Sequence, residues 1–150
     1  MGKALGSVFE LSMRYLLLLY VSRKKPLTES RLCAADFICT YAADFGLSPE
    51  NLNGNSGYRY GEYASRCSMS NSSVKYLVLR GLIKTQADAQ GFTYTITDAG
   101  SDYCSTLESA YAVDYCHLAY SVIEHFAQTS DAELVRTIWA KASADRKEEN

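Results

Sequence analysis

Residues 70–100 constrain the fold of this chain more than any other segment. They open with the run Ser-Asn-Ser-Ser at 70–73, whose side-chain oxygens can cap the N-terminus of a helix. Apolar residues follow at the spacing of one helix face: Val74, Leu77, Val78 and Leu82. Gly81 is suited to the left-handed conformation that ends many helices. The segment therefore predicts a helix that begins near Ser70 and ends near Gly81.

Two short strands are predicted directly after this helix. Residues 82–85 form the first strand, residues 87–91 the turn, and residues 92–97, which alternate in polarity, the second strand. The polar segment 97–100 then begins another helix. The order helix, hairpin, helix is typical of a winged helix-turn-helix domain, with the hairpin as its wing. A short helix at about 62–69 would be the first helix of the helix-turn-helix.

The flanking segments predict additional helices. Residues 9–23 are apolar on nearly all sides, so this N-terminal helix is either the core helix, which we favour, or partly covered by a partner. Residues 29–45 predict a helix capped by Thr28 and ended by Gly46, and residues 47–57 a loop. Residues 101–128 predict one long helix with a heptad-like stripe, and Ser130 with Glu133 a capping box for a last helix. The predicted fold is mainly α, formally α+β.

The length of 150 residues favours a single domain over residues 1–150, with a C-terminal helical extension at about 101–140 and a charged tail at 141–150. The longest apolar run, at 15–21, is far shorter than the roughly 20 residues that span a bilayer. No secretion signal is recognised, and the odd number of cysteines suits a reducing compartment, so we expect a cytoplasmic protein without a membrane segment.

Sequence motifs for catalysis or cofactor binding are missing. The chain has no glycine-rich phosphate loop, no HExxH and no GxSxG, so we expect no enzyme, no cofactor and no small-molecule substrate. Four residues invite a zinc interpretation: Cys104, Cys116, His117 and His125. Cys104 and Cys116 are too far apart along one helix for a tetrahedral site, so we favour structural cysteines and no metal.

A winged helix commonly reads DNA, and five residues around the second helix are candidates for that contact: Arg59, Arg66, Asn71, Ser73 and Lys75. The arginines and the lysine can hold phosphates, and Asn71 can bond a base edge. However, the net charge is −2 and the predicted wing tip carries Asp88 and no cation. Cations supply most non-specific DNA affinity, and three of them give little of it. A role in capping and solvating the helix therefore explains these residues as well as DNA contact does.

Several separated motifs resemble one protein family. They are ELSMR at 10–14, LCAADFICTYAADFGLSPENL at 32–52, YRYGEYASR at 58–66, LRGLI at 79–83 and FTYTITDAG at 92–100. Together they resemble the middle component of bacterial ABC-three-component systems, over residues 9–138. The resemblance implies a coiled-coil, SMC-like ATPase subunit and an effector subunit as partners, as in Lamassu-type defence against phages or plasmids. It also implies a non-catalytic accessory subunit, with no catalytic residues to transfer.

Two functions follow as hypotheses. The first is an assembly subunit that bridges the SMC-like ATPase and its effector and meets DNA only within that complex. Its partner surface would use the N-terminal helix and the helix after the wing, through Leu16, Leu17, Leu19, Tyr111, Tyr115, Leu118 and Val122. The alternative is a winged-helix transcription regulator, dimeric through residues 101–128. There is also an alternative for the proposed partner surface. The two helices can pack on each other and bury the same residues without a partner.

Overall fold

The computed structural model describes residues 2–23, 25–52, 54, 58–89 and 91–149, and side chains of residues 8–144 within those ranges. In these ranges the chain is mainly helical, with a two-stranded antiparallel sheet. The elements are α1 (Gly2–Ser22), α2 (Glu29–Thr40), a short 3-10 helix (Ala42–Phe45), α3 (Arg59–Leu79), β1 (Ile83–Asp88), β2 (Gly91–Ile96), α4 (Asp98–Ser105), α5 (Ala110–His125) and α6 (Asp131–Glu149). No described helix is both long and apolar enough to cross a bilayer.

Helix α1 is the centre of the fold, as its apolar character predicted. Leu11 and residues 15–19 are buried, and α1 contacts α2, α3, α4, α5 and β2. A helix with so little polar surface is stable only when other elements cover most of it. The predicted core helix is therefore confirmed, and the helices after the hairpin contribute to the same core through Tyr115, Val122 and Ile138.

The hairpin is confirmed, with a longer first strand than predicted. Its register pairs Ile83 with Ile96 and Asp88 with Gly91. Gly81, with φ of +70°, lies between α3 and β1, in the left-handed conformation expected of it. Gln90 of the predicted turn, and residues 53 and 55–57 of the predicted loop, lie outside the described residues. An isolated bridge joins Leu27, between α1 and α2, to Tyr94 of β2.

Side-chain caps begin three of the predicted helices. Thr28 accepts a hydrogen bond from the Arg31 amide at 3.0 Å at the start of α2. Thr97 accepts one from the Gly100 amide at 3.0 Å at α4, and the Ser130 hydroxyl accepts one from the Glu133 amide at 3.2 Å. Helix α2 ends at Thr40, earlier than predicted, and the 3-10 helix continues to Phe45 before Gly46.

The predicted division of residues 62–81 into two helices is wrong, because Arg59–Leu79 is one continuous helix. Ser70, expected as a cap, lies in the middle of α3, where its Oγ is 2.7 Å from the hydroxyl of Tyr15. The Ser73 hydroxyl similarly donates to the Val8 carbonyl on α1, at 3.4 Å. Both serines face α1 and find their hydrogen-bond partners there, so their preference for caps is overridden.

The predicted single helix at 101–128 is also wrong. Helix α4 ends at Ser105 and α5 begins at Ala110, with a break between them. At the break the Thr106 hydroxyl donates to the Tyr103 carbonyl at 2.7 Å, and Ser109 caps α5 by accepting from the Ala112 amide at 3.1 Å. The apolar stripe continued across this break, so its periodicity alone gave no indication of it.

Candidate functional site

The structure buries most of the residues predicted to bind a partner. Leu16, Leu17, Leu19, Tyr115 and Val122 are at most 4% exposed, inside the core. Leu118 is partly buried against the core, whereas Tyr111 is 40% exposed. These five side chains lie in the core, where α1 and α5 pack on each other, so Tyr111 and Leu118 are the predicted partner residues that stay accessible at least in part.

A buried group of charged and polar side chains joins α1, α2, α3 and α5. Asp36, which is fully buried, accepts hydrogen bonds from Arg14 Nε at 2.7 Å, Arg66 Nη1 at 3.1 Å and the Tyr115 hydroxyl at 2.6 Å. Arg66 Nη1 also donates to Thr40 Oγ1 at 2.9 Å. We call these five residues the Asp36 centre. Its carboxylate is satisfied from three helices, as a buried charge must be.

The charges of the Asp36 centre have directional effects on pKa. Burial alone would raise the pKa of Asp36, but the guanidinium groups of Arg14 and Arg66 outweigh it and lower that pKa. The pKa of Tyr115 is raised, first by burial and then by the neighbouring carboxylate. Asp36 is therefore ionised and Tyr115 neutral, as their hydrogen bond requires.

The predicted DNA contacts are mostly occupied inside the protein. Arg66 is in the Asp36 centre and 4% exposed, and Ser73 is buried. Arg59 forms an ion pair with Asp44 at 2.8 Å, and exposed Asn71 donates to Glu29 at 3.2 Å. Lys75 lies exposed on α3. The structure thus brings these residues to one helix but turns the arginines inward.

An open groove runs along the side of α1 that faces α4 and α5. Its first end has a volume of about 520 Å³ and a mainly apolar lining, in which Glu10 and Arg14 are the charged members: Phe9, Met13, Leu17, Tyr103, Leu107 and Tyr111. Phe9 is 46% exposed at this end, and Tyr103 and Tyr111 are each 40% exposed. A smaller depression at Leu17, Leu107 and Cys116 continues the groove toward the C-terminus of α1. We call the whole surface the α1 groove.

The second end of the α1 groove is larger and basic. It has a volume of about 1120 Å³ and lies between α1, the hairpin and α5. Arg23, Lys84 and His117 line it, together with one described carboxylate, that of Asp98. Tyr120, 61% exposed, forms part of its wall. Lys84 pairs with Thr95 across the hairpin, so both side chains are on the sheet face that lines this end.

The comparisons with known proteins decide the family. The model of the family described as "ABC-three component (ABC-3C) system Middle Component 2" matches residues 4–148. The chain belongs to this middle component family. Neither the curated proteins nor the solved structures give a match. The sequence resemblance is therefore confirmed, and a middle component of a multi-component system has protein partners.

In this middle component, the α1 groove is open to a partner, whereas most of the apolar residues predicted as the partner surface are buried. Sequence reasoning missed Tyr20, Arg23 and Lys84 as groove residues, because they come from separate segments that meet only in the fold. One signal was available, since α1 is apolar on more sides than a single packing partner needs. In the described part of the chain, no cluster of metal-ligating side chains accompanies the groove.

Proposed function

We propose that this middle component is a non-catalytic assembly subunit that joins an SMC-like ATPase to an effector in a Lamassu-type bacterial defence complex. The observation that carries this proposal is the α1 groove, together with the family match. Exposed aromatic side chains around a concave surface favour a protein partner, because each buries a large apolar area when covered and the tyrosines also retain a polar tip.

The dimensions of the α1 groove suit a short segment of a partner subunit. The groove follows α1 from Phe9 to Arg23, which is roughly 20 Å at 1.5 Å per residue. Three adjoining depressions share lining residues: Leu17, Leu107 and Ala112 between the first two, Tyr20, Cys116 and His117 between the last two. A helix or an extended segment of that length can therefore lie along it without interruption.

The two ends of the α1 groove specify the chemistry of that segment. The end at Phe9, Leu107 and Tyr111 suits apolar side chains, and the end at Arg23 and Lys84 suits carboxylates. We therefore assign the groove to a partner segment that is apolar at one end and acidic at the other. Complementary charge at the rim favours the right orientation and partner more than it adds affinity.

Co-expression with the ATPase and effector subunits of the same system tests the proposal. A pull-down through this chain should recover the ATPase, and Tyr111→Glu should abolish recovery because it places a charge where an apolar contact forms. Lys84→Glu should reduce recovery, and more so at low salt than at high salt, because it reverses a charge at the rim. Both variants should retain the thermal unfolding midpoint of the unmodified chain.

Matched controls use exposed residues outside the groove. Phe92→Glu changes an aromatic residue that is 62% exposed on the hairpin, and Lys75→Glu reverses an exposed cation on α3. Neither should affect recovery. If the controls and the groove variants reduce recovery equally, or if no ATPase is recovered with the unmodified chain, the assembly role is wrong.

The winged-helix interpretation also belongs to this proposal, with a different assignment of helices. The order α1, the Leu27 bridge, α2, α3 and the hairpin supports a winged helix in which α3 occupies the recognition position. The exposed side of α3 carries mainly small neutral residues: Ala64, Ser65, Ser68, Asn71 and Ser72. A recognition helix with this surface offers few cations to phosphates, so the transcription regulator has less support.

A further inference from the structure

Two cysteines of the chain lie against each other across a helix interface. Cys33 of α2 and Cys67 of α3 have their sulfur atoms 3.1 Å apart. Cys33 is buried at 3% exposure, whereas Cys67 is exposed to solvent. A disulfide needs a sulfur–sulfur distance of about 2.05 Å, so a shift of about 1 Å would join these two residues. Helices α2 and α3 already pack together at this point.

The pKa values of the two thiols are shifted in opposite directions. A hydrogen bond from Cys33 lowers the pKa of Cys67 to about 7 against the opposing effect of burial, and the Tyr63 hydroxyl adds a smaller lowering. The same hydrogen bond, together with burial, raises the pKa of Cys33. At neutral pH, Cys67 is therefore substantially thiolate and Cys33 is the neutral donor. Exposure and thiolate character are the two properties that make a cysteine reactive.

We propose that Cys67 and Cys33 form an oxidation site that reacts with hydroperoxides and closes to a disulfide between α2 and α3. The Cys67 thiolate attacks the terminal peroxide oxygen, so that an S–O bond forms and the O–O bond breaks to give the sulfenic acid. The alkoxide that leaves, or hydroxide when the oxidant is hydrogen peroxide, takes a proton from solvent. The Cys33 sulfur then forms the S–S bond and the S–OH bond breaks. The hydroxide that leaves takes the Cys33 proton as water. Two thiols lose two electrons, and one hydroperoxide is reduced.

The other cysteines lack this arrangement and serve as references. Burial raises the pKa of Cys104 to about 12 and raises the pKa of Cys116, so both are poor nucleophiles. Cys39 is fully buried, and burial raises its pKa as well. Of these three, Cys116 is the most accessible, so it is the matched control for Cys67.

The disulfide would restrain the part of the core that holds the Asp36 centre. Cys33 lies one turn before Asp36 on α2, and Cys67 directly follows Arg66 on α3. The link would close a loop between residues 34 positions apart. Loops of this length restrict the unfolded chain substantially, so the oxidised protein should have a higher thermal unfolding midpoint by on the order of 5–10 °C.

The test treats the full-length, reduced chain with hydrogen peroxide and follows its intact mass and free thiols. We expect a loss of two thiols and of about 2 Da, with the link mapped to a peptide pair that contains Cys33 and Cys67. Cys33→Ser should instead accumulate a sulfenic acid at Cys67, trapped by dimedone, since it lacks the resolving thiol. Cys116→Ser should behave as the unmodified chain does.

Three outcomes would overturn the oxidation site. The first is a disulfide that maps to another pair of cysteines. The second is equal dimedone labelling of Cys67 in the unmodified chain and in Cys33→Ser, which would mean that Cys33 does not resolve it. The third is alkylation of Cys67 no faster than that of Cys116 at pH 7 in the folded protein. Circular dichroism of each variant confirms that it is folded before these comparisons are made. None of these outcomes depends on the assembly role proposed above.

Discussion

Tyr111 and Tyr115 occupy consecutive turns of α5 and have opposite environments. Tyr115 is fully buried and its hydroxyl donates to Asp36 at 2.6 Å. Tyr111 is 40% exposed at the apolar end of the α1 groove. Their rings stack with centroids 6.3 Å apart and an angle of 15° between planes. Helix α5 thus supplies one tyrosine to the buried Asp36 centre and another to the α1 groove.

The comparison shows that helical periodicity identifies a face but not its partner. Both tyrosines belong to the apolar stripe of residues 101–128, and sequence reasoning assigned both to a partner surface. The difference arises from Asp36 on α2, which accepts the hydrogen bond of the Tyr115 hydroxyl inside the core and is itself paired with Arg14 of α1. The Asp36 centre therefore joins helices in the interior through charged groups. Tyr111 lies outside it, on the surface of the α1 groove.

Glutamate at each tyrosine position is the strongest test of this comparison. Tyr115→Glu places a second carboxylate beside buried Asp36, so we expect a loss of more than about 4 kcal/mol of unfolding free energy, or no cooperative folding at all. Tyr111→Glu should change it by no more than about 1 kcal/mol, because its side chain reaches solvent. Urea denaturation followed by circular dichroism measures both. Similar losses for the two variants would contradict the assigned environments.

Neutralising Asp36 tests the charge balance of the buried centre. Asp36→Asn leaves Arg14 without this counter-charge and Arg66 with only the more exposed Glu62, 3.5 Å away, and removing one partner of such a cluster typically costs about 3–5 kcal/mol. The matched control is Asp131→Asn, which breaks the more exposed ion pair with Arg31, 2.9 Å long, and should cost about 1 kcal/mol or less. Urea midpoints of the two variants should differ clearly. A cost for Asp36→Asn as small as the control would mean that the centre does not hold the helices.

The pH dependence of stability follows from the lowered pKa of Asp36. Its contribution is fully present above the pKa of the unfolded carboxyl, 3.8, and is lost as the pH falls from there through the lower folded pKa. The urea midpoint of the unmodified chain should therefore fall below about pH 4 more steeply than that of Asp36→Asn. If the urea midpoints of the two proteins decrease equally as the pH falls below about 4, the pKa of Asp36 is not lowered in the folded protein.

Local signals in the sequence were sufficient for part of this fold. The alternation of residues 92–97 predicted β2, and the hydroxyls of Thr28, Thr97 and Ser130 predicted three helix starts that the structure confirms. Each of these depends on neighbours within a few residues. The hairpin and the central α1 were predictable for the same reason, because polarity along a short segment determines both.

The remaining features depend on contacts between distant segments. Ser70 lies inside α3 because Tyr15, 55 residues away, bonds its hydroxyl. Arg66 turns inward because Asp36, 30 residues away, is buried beside it. The α1 groove needs residues of α1, the hairpin, α4 and α5 at once. None of these pairings leaves a periodic pattern, so sequence reasoning placed Ser70 at a cap and Arg66 on DNA.

Binding to duplex DNA is the smallest effect that we expect. It distinguishes the arginines that form ion pairs within the protein from the cations that line the α1 groove. Arg59 and Arg66 are held by Asp44 and Asp36, whereas Arg23 and Lys84 line the open groove. The net charge of −2 opposes the approach of DNA, and exposed cations such as Lys75, Lys84 and Arg136 lie on separate elements, so binding at near-physiological salt should be weaker than about 10 μM. Fluorescence anisotropy with a labelled duplex measures it. Any binding at low salt should decrease in Lys84→Glu and stay unchanged in Arg59→Gln, because only the first residue faces solvent at an open surface. Submicromolar, sequence-selective binding that Arg59→Gln abolishes would instead show that the inward-facing arginines turn outward on DNA, and the regulator would become the better function.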